Sequence, residues 1–236
     1  MESTIIFEDK DLMVLDKPAG WIVNEAETTG ATPVIQDWLK KNFKYEIVES
    51  REYRSGIVHR LDKETSGVLL VAKTQGVFEE LQRQFKERIV KKTYVALLHG
   101  NVKPTEGEIK TEVGRLPWRR DRFGLLPGGR ESQTKYKVLS YYTLLKTKLP
   151  HLKAYTLVEF YPKTGRTHQI RIHAKYIGHP IVGDEIYAST KQYFKWQPIF
   201  GRLMLHACKI EILHPTTHQQ MTFEAPLPEL FLDLSR

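Results

Sequence analysis

Cysteine is almost missing from this chain: Cys208 is the one thiol among 236 residues. A disulfide framework needs a pair and a thiolate zinc site needs several, so both are excluded. No apolar run approaches the roughly 20 residues of a membrane-spanning helix, so no membrane partner is expected. The opening Met1-Glu2-Ser3-Thr4 lacks a basic region followed by an apolar one. No secretory leader is therefore expected, and the cytoplasm is the default location. Internal repeats, low-complexity linkers and a convincing domain boundary are also missing, so the expectation is one domain over residues 1–236. Acids are in short supply, 28 against 36 lysines and arginines, which leaves a net charge of +8. A field of that sign attracts polyanions, nucleic acid first. The remaining composition, 41% hydrophobic and 27% charged, is that of an ordinary globular protein with room for one large core or two small ones.

The most informative stretch runs from Ile57 to Ala72. Ile57-Val58 is a short apolar lead. His59 to Gly67 is polar, with Thr65-Ser66-Gly67 as a turn signal. Val68 to Ala72 is an unbroken β-branched-rich run, the pattern of a strand buried on both faces. Asp62 thus lies in a loop held between two packed segments, where catalytic groups tend to sit. Taken alone it reads as an ordinary turn acid. Arg60 and Lys63 change that, because a nearby cation favours the ionised carboxylate, and such a group can act as nucleophile or base.

His59-Arg60-Leu61-Asp62-Lys63, followed by Thr65-Ser66-Gly67-Val68-Leu69-Leu70-Val71-Ala72-Lys73, resembles the catalytic motif of the RluA-type pseudouridine synthases. A protein-kinase reading of His-Arg-x-Asp and Val-Ala-Lys fails. The lysine follows the loop instead of preceding it, and neither a Gly-rich nucleotide loop nor Asp-Phe-Gly is present.

Further segments carry the same resemblance from about residue 5 to 230. Thr4–Phe7, Leu12–Leu15 and Trp21–Val23 read as strands around the turn Lys17-Pro18-Ala19-Gly20, which is similar to a family segment packed beside the active-site loop. Asp16 and Asn24 depart from the family pattern there. Val34–Phe43 reads as an amphipathic helix with Thr32 as cap and Pro33 in its first turn. Val77–Arg88 reads as a surface helix packed on a sheet. Lys92–Leu98 is a strand whose Lys-x-Tyr-x-Ala resembles the family's second motif, and Glu108–Val113 is another strand. Between Arg115 and Gly124, arginines 119, 120 and 122 interleave with Trp118 and Phe123. Arginine forks suit phosphate and aromatics suit unpaired bases, so this is read as an RNA-gripping loop between two strands. Gly129 to Tyr136 follows in family style, with Arg130 and Ser132 as mild departures. Lys135–Tyr142 and Ala154–Phe160 alternate as paired strands.

Thr164 to Asp184 contains Gly165-Arg166-Thr167-His168-Gln169-Ile170-Arg171, which resembles a further family motif. Thr167 is expected to cap a helix that ends near Ile177, stopped by Gly178 and Pro180. His168 and His173 fall about 140° apart on a helix, which argues against a shared metal. Gly183-Asp184-Glu185-Ile186-Tyr187 lacks the family's closing glycine, replaced by Ala188. Lys191 to Trp196 is aromatic and basic, an RNA surface or packing. Leu203-Met204-Leu205-His206-Ala207 matches the last motif.

The resemblance implies an α+β fold with a long, mixed, mostly antiparallel sheet, helices flanking it and a central active-site cleft. It implies isomerisation of a specific uridine to pseudouridine in a structured stem-loop of ribosomal or transfer RNA. No metal and no organic cofactor are implied. Asp62 is then the catalytic acid, Arg171 pairs with it, Tyr94 stacks on the target base and Leu205 packs on the opposite face. Arg60 supports the flipped conformation, and Arg166, Arg119, Arg120 and Arg122 count as substrate-binding. The catalytic pattern starts within the first ten residues, so the expectation is a stand-alone, monomeric catalytic domain without an S4-type RNA-binding module. The main alternative is a catalytically silent RNA-binding or assembly protein of the same fold. A glycoside hydrolase would need a second acid near Asp62, and Glu64 has no aromatic sugar platform beside it in the sequence.

Overall fold

The computed structural model describes residues 3–25, 30–143, 154–190, 192 and 200–232. The chain divides into two compact units: residues 1–92 with 207–226, and residues 93–206 with 227–236. Each unit takes both ends of a long excursion of the chain, so neither has a linker that composition could reveal.

The first unit contains β1 (Thr4–Glu8), β2 (Leu12–Lys17), α1 (Ile35–Asn42), β3 (Ser66–Ala72) and α2 (Gln75–Lys86). Most of β9 (Leu205–Leu213) and all of β10 (Gln220–Glu224) complete it. Strand order is β1-β2-β3-β9-β10, and β1–β2, β2–β3 and β9–β10 are antiparallel. Every residue of β3 is buried, as its apolar run requires. Leu12, Val14, Val68 and Leu70 share a core with Leu81 and Val77 of α2 and with Ile210 and Phe223. Each such side chain contributes about 1.5–3 kcal/mol on burial. That fixes the strand from which the Asp62 loop hangs. Gly67 has φ +116°, and a Cβ there would lie 2.2 Å from the Ala207 carbonyl oxygen, so glycine is what lets β3 approach β9.

The second unit holds most of β4 (Lys91–His99), with β5 (Glu106–Leu116), β6 (Arg119–Leu125), β7 (Arg130–Thr143), β8 (Ala154–Pro162) and α3 (Gln169–Tyr176). Its strand order is β4-β8-β7-β5-β6. All four neighbouring pairs are antiparallel, including the expected pairing of β7 with β8. The fold class is α+β, as expected. Among the described residues no helix is long and apolar enough to cross a membrane.

Four local expectations change. Trp21–Val23 is not a strand: Ile22 makes one isolated parallel bridge to Val34. That bridge holds Val34 extended, so α1 starts at Ile35 with Val34 as its uncapped boundary and Thr32 outside it. At α3 the boundary is His168 in the left-handed region, φ 56°, with no side-chain cap, so Thr167 does not cap it. Gln169 closes this turn instead, its Oε1 accepting from the Arg166 N–H and the Thr164 hydroxyl. The Arg115–Gly124 segment is not a loop but the paired arms of the β5–β6 hairpin, with Pro117-Trp118 at its tip and Trp118 71% exposed.

Candidate active site

Asp62 lies in a loop whose two ends are tied down. At the near end, Ile57 bridges Val71, and the Val58 carbonyl accepts from the Gln82 side-chain amide. His59 Nε2 accepts from the Leu70 N–H at 3.0 Å, and its ring packs 5.0 Å from Phe85. At the far end, the Thr65 N–H donates to the Asp62 carbonyl at 3.0 Å, turning the chain into β3. Leu61 is buried, Asp62 half-buried and Arg60 exposed.

Lys17 supplies the inner support. The side chain is fully buried, and its ammonium donates to the carbonyls of Pro18 (2.8 Å), Trp21 (2.9 Å) and Lys63 (3.0 Å). An ammonium has three N–H donors, and here they meet three carbonyls. The Lys63 carbonyl also accepts from the Gly20 N–H at 2.9 Å. Two bonds therefore fix the peptide that follows Asp62. The turn at Lys17–Gly20 does pack beside the loop, through a lysine to which sequence reasoning assigned no role.

The histidines near these elements are structural. Burial, with the positive charge of Lys92, holds His59 down to about 3. Burial holds His99 and His173 to about 4. His173 Nε2 meets the Thr111 and Ser132 hydroxyls and Nδ1 the Thr134 hydroxyl, all within 3.0 Å, while His168 Nδ1 meets the Tyr187 hydroxyl. The folded chain binds fewer protons here than the unfolded chain once pH falls below the ordinary histidine value of about 6.5. Stability should therefore decline on acidification through that value and flatten near 3 to 4. We expect a loss on the order of 1 kcal/mol per histidine between about pH 7 and pH 5, discounted for the half-exposed His59. Urea unfolding at the two pH values checks it, and a midpoint that does not fall would refute it.

In the second unit the centre is Arg171, which is 6% exposed. Its Nε and Nη2 donate to Asp184 Oδ2 and Oδ1, both at 2.8 Å, and Asp184 is completely buried. Asp184 Oδ1 also accepts from the N–H groups of Ile186 and Tyr187 at 2.9 Å. The Arg171 guanidinium sits 5.1 Å from the centre of the Tyr187 ring. Gly183, φ +76°, makes this turn, and a Cβ there would lie 2.0 Å from the Arg202 carbonyl oxygen. Sequence reasoning quoted Asp184 within its motif and gave it no role. The available signal was an acid beside a glycine in a segment lying just after the arginine helix.

The arginine-rich hairpin is wired to this pair. The Tyr187 hydroxyl donates to the Phe123 carbonyl at 2.9 Å, and Arg122 Nη1 donates to the Ile186 carbonyl at 3.2 Å. Arg119 and Arg120 are exposed, and Arg115 stacks over Phe123 at 4.9 Å. Arg166 Nε donates to the Glu131 carbonyl at 3.1 Å. Tyr94 is half-buried on β4, opposite Phe160. Three residues along that strand the Leu97 N–H donates to the Met204 carbonyl at 3.1 Å, which brings the buried Leu205 alongside β4. Of Lys191 to Trp196, all but Gln192 lie outside the described residues.

Residues 11–176 match the family model described as RNA pseudouridylate synthase, and the chain belongs to that family. Among its relatives is the ribosomal large subunit pseudouridine synthase D of Nitrosomonas europaea, 37% identical over 95% of this chain and 62% of that protein. An uncharacterized RNA pseudouridine synthase of Aquifex aeolicus is 38% identical over 96% of this chain and 70% of that protein. The chain spans about two thirds of the length of these curated relatives. The solved structure of human RNA pseudouridylate synthase domain containing 1 superposes with a TM-score of 0.75 at 28% identity, covering 97% of this chain and 86% of that one.

Proposed function

We propose that this chain is an RNA pseudouridine synthase that isomerises a uridine in a ribosomal RNA stem-loop, acting in the cytoplasm as a monomer. The observation that carries the reading is Asp62 on a loop pinned by Lys17 and hung from a fully buried strand, in a chain of this family. The ribosomal target is supported by the name of the Nitrosomonas europaea relative.

The reaction breaks the bond between the sugar and a uracil nitrogen, turns the base and rejoins it through carbon, releasing the hydrogen of that carbon. No atom of water is added. The uridine must leave its stack because its reacting atoms are hidden there, and exposed Arg60 supports the flipped conformation. Asp62 acts on the sugar as nucleophile or base. Arg171 holds Asp62 charged and oriented, a role that suits a guanidinium already locked by Asp184. Tyr94 and Leu205 retain the detached uracil between an aromatic and an aliphatic face. A tritium-release assay on uridine-labelled ribosomal RNA tests the activity. Release into water is expected, whereas tight RNA binding without release would favour the silent assembly protein.

Arg119, Arg120, Arg122 and Arg166 are assigned to RNA. Arg122 and Arg166 each already hold a backbone carbonyl, so they act partly by shaping the surface. Arg119→Ala with Arg120→Ala is expected to weaken RNA binding and to lower the slope of log affinity against log salt by about 1.4 to 1.8 for two lost phosphate contacts. Binding measured across a salt series reads it, and an unchanged slope removes the hairpin from the interface.

A further inference from the structure

A second constellation lies in the first unit, between the β1–β2 turn and the β9–β10 turn. We propose that Asp9, Asp11 and His214 bind one divalent transition-metal cation of the zinc or manganese class. One donor atom from each side chain lies within 4.8 Å of the others. None of the three belongs to the Asp62 loop or to the Arg171 network.

The donors are held in place before any cation arrives. Asp9 Oδ1 accepts from the N–H groups of Asp11 and Leu12, both at 2.8 Å, which turns its Oδ2 toward His214 Nε2 at 2.9 Å. The imidazole is fixed from its other side, where Nδ1 accepts from the N–H groups of Thr216 (3.3 Å) and Thr217 (3.1 Å). Nδ1 must then carry a lone pair, and the ring proton is assigned to Nε2. A cation would take the Nε2 lone pair and release that proton to water.

Asp11 is the independent sign of a missing partner. It is only 9% exposed, and its Oδ2 is buried without a hydrogen-bond partner. That oxygen faces His214 Nε2 from 4.0 Å, beyond hydrogen-bond reach. A buried carboxylate oxygen beside a second carboxylate is unfavourable unless positive charge lies between them. Lys73 reaches this corner, but its ammonium lies on the Asp9 carbonyl (2.6 Å) and the Glu8 carboxylate (3.0 Å).

Two carboxylates and an imidazole suit zinc or manganese better than calcium, which takes oxygen ligands, or cuprous copper, which takes sulfur. The 2.9 Å between Nε2 and Asp9 Oδ2 is near the spacing of adjacent ligands on a cation with bonds of about 2.0–2.2 Å. Rotation of the Asp11 carboxylate closes the longer gap. Three protein donors leave water to complete the shell. The bound ion would clip the first turn of the chain to a turn some two hundred residues later.

The test uses the untagged full chain, stripped with chelator and titrated with cobalt and then zinc. One equivalent of cobalt is expected to give visible d–d absorption that zinc abolishes. Zinc at about a hundredfold over its dissociation constant should raise the unfolding midpoint by roughly 5 °C or more. Asp11→Asn should lose both effects while keeping pseudouridine formation. The cobalt titration of the unaltered chain needs no variant. No absorption and no rise in midpoint would overturn the site, as would full retention of both in Asp11→Asn and in His214→Gln.

Discussion

Asp62→Asn is expected to lower pseudouridine formation by at least about a thousandfold while RNA affinity stays within about twofold. Asparagine matches the shape of aspartate, so the loop survives: its backbone is held by Lys17, Gly20 and Thr65, none of which bonds to the Asp62 carboxylate in doing so. What goes is the negative charge that attacks or deprotonates the sugar. Single-turnover tritium release and a binding titration on the same RNA separate the two quantities. A variant that still turns over at a tenth of the normal rate would place the chemistry elsewhere. One that also loses RNA binding would make Asp62 a structural acid.

Asp184→Asn is expected to destabilise the second unit by about 3–5 kcal/mol, because it leaves the Arg171 guanidinium buried without its counter-charge. For a chain of 236 residues that is a drop of roughly 10 °C in unfolding midpoint. The loss should be mostly undone by adding Arg171→Met, which removes the stranded charge, while the substituted amide oxygen still accepts from the N–H groups of Ile186 and Tyr187. Turnover should not return in the double variant, since Arg171 is assigned to Asp62 as well. Stability regained with turnover absent is thus the signature of an arginine with two duties. If turnover returns with stability, the arginine is structural only. If the single variant unfolds no earlier than the parent, the pair contributes nothing.

Much of the site was legible because its signals are local. The run from Val68 to Ala72 has no polar residue, and such a strand can only be buried on both faces; the loop before it then has nowhere to go but its mouth. Leu81 and Val77 recur at helical spacing and pack as that spacing requires. The misread positions share a cause. Trp21–Val23 has strand composition but only Val34 to pair with, and that single bridge displaced the start of α1 away from Thr32. Arg115 to Gly124 has the composition of a solvated loop, yet its backbone finds partners across the hairpin, so the arginines alternate along strands.

By itself, the sequence of amino acids determined that Asp62 sits in a loop at the mouth of a buried strand, that Val77 to Phe85 makes one amphipathic helix and that β7 runs beside β8. Those outcomes depend on periodicity and on neighbours a few residues away. Only the tertiary structure decided that a buried lysine at 17 grips the peptide after Asp62, that Asp184 holds Arg171, and that Asp9, Asp11 and His214 meet. Each of these joins groups brought together by strand order and helix placement, and a charged side chain carries no mark in the sequence of the partner that burial will force upon it.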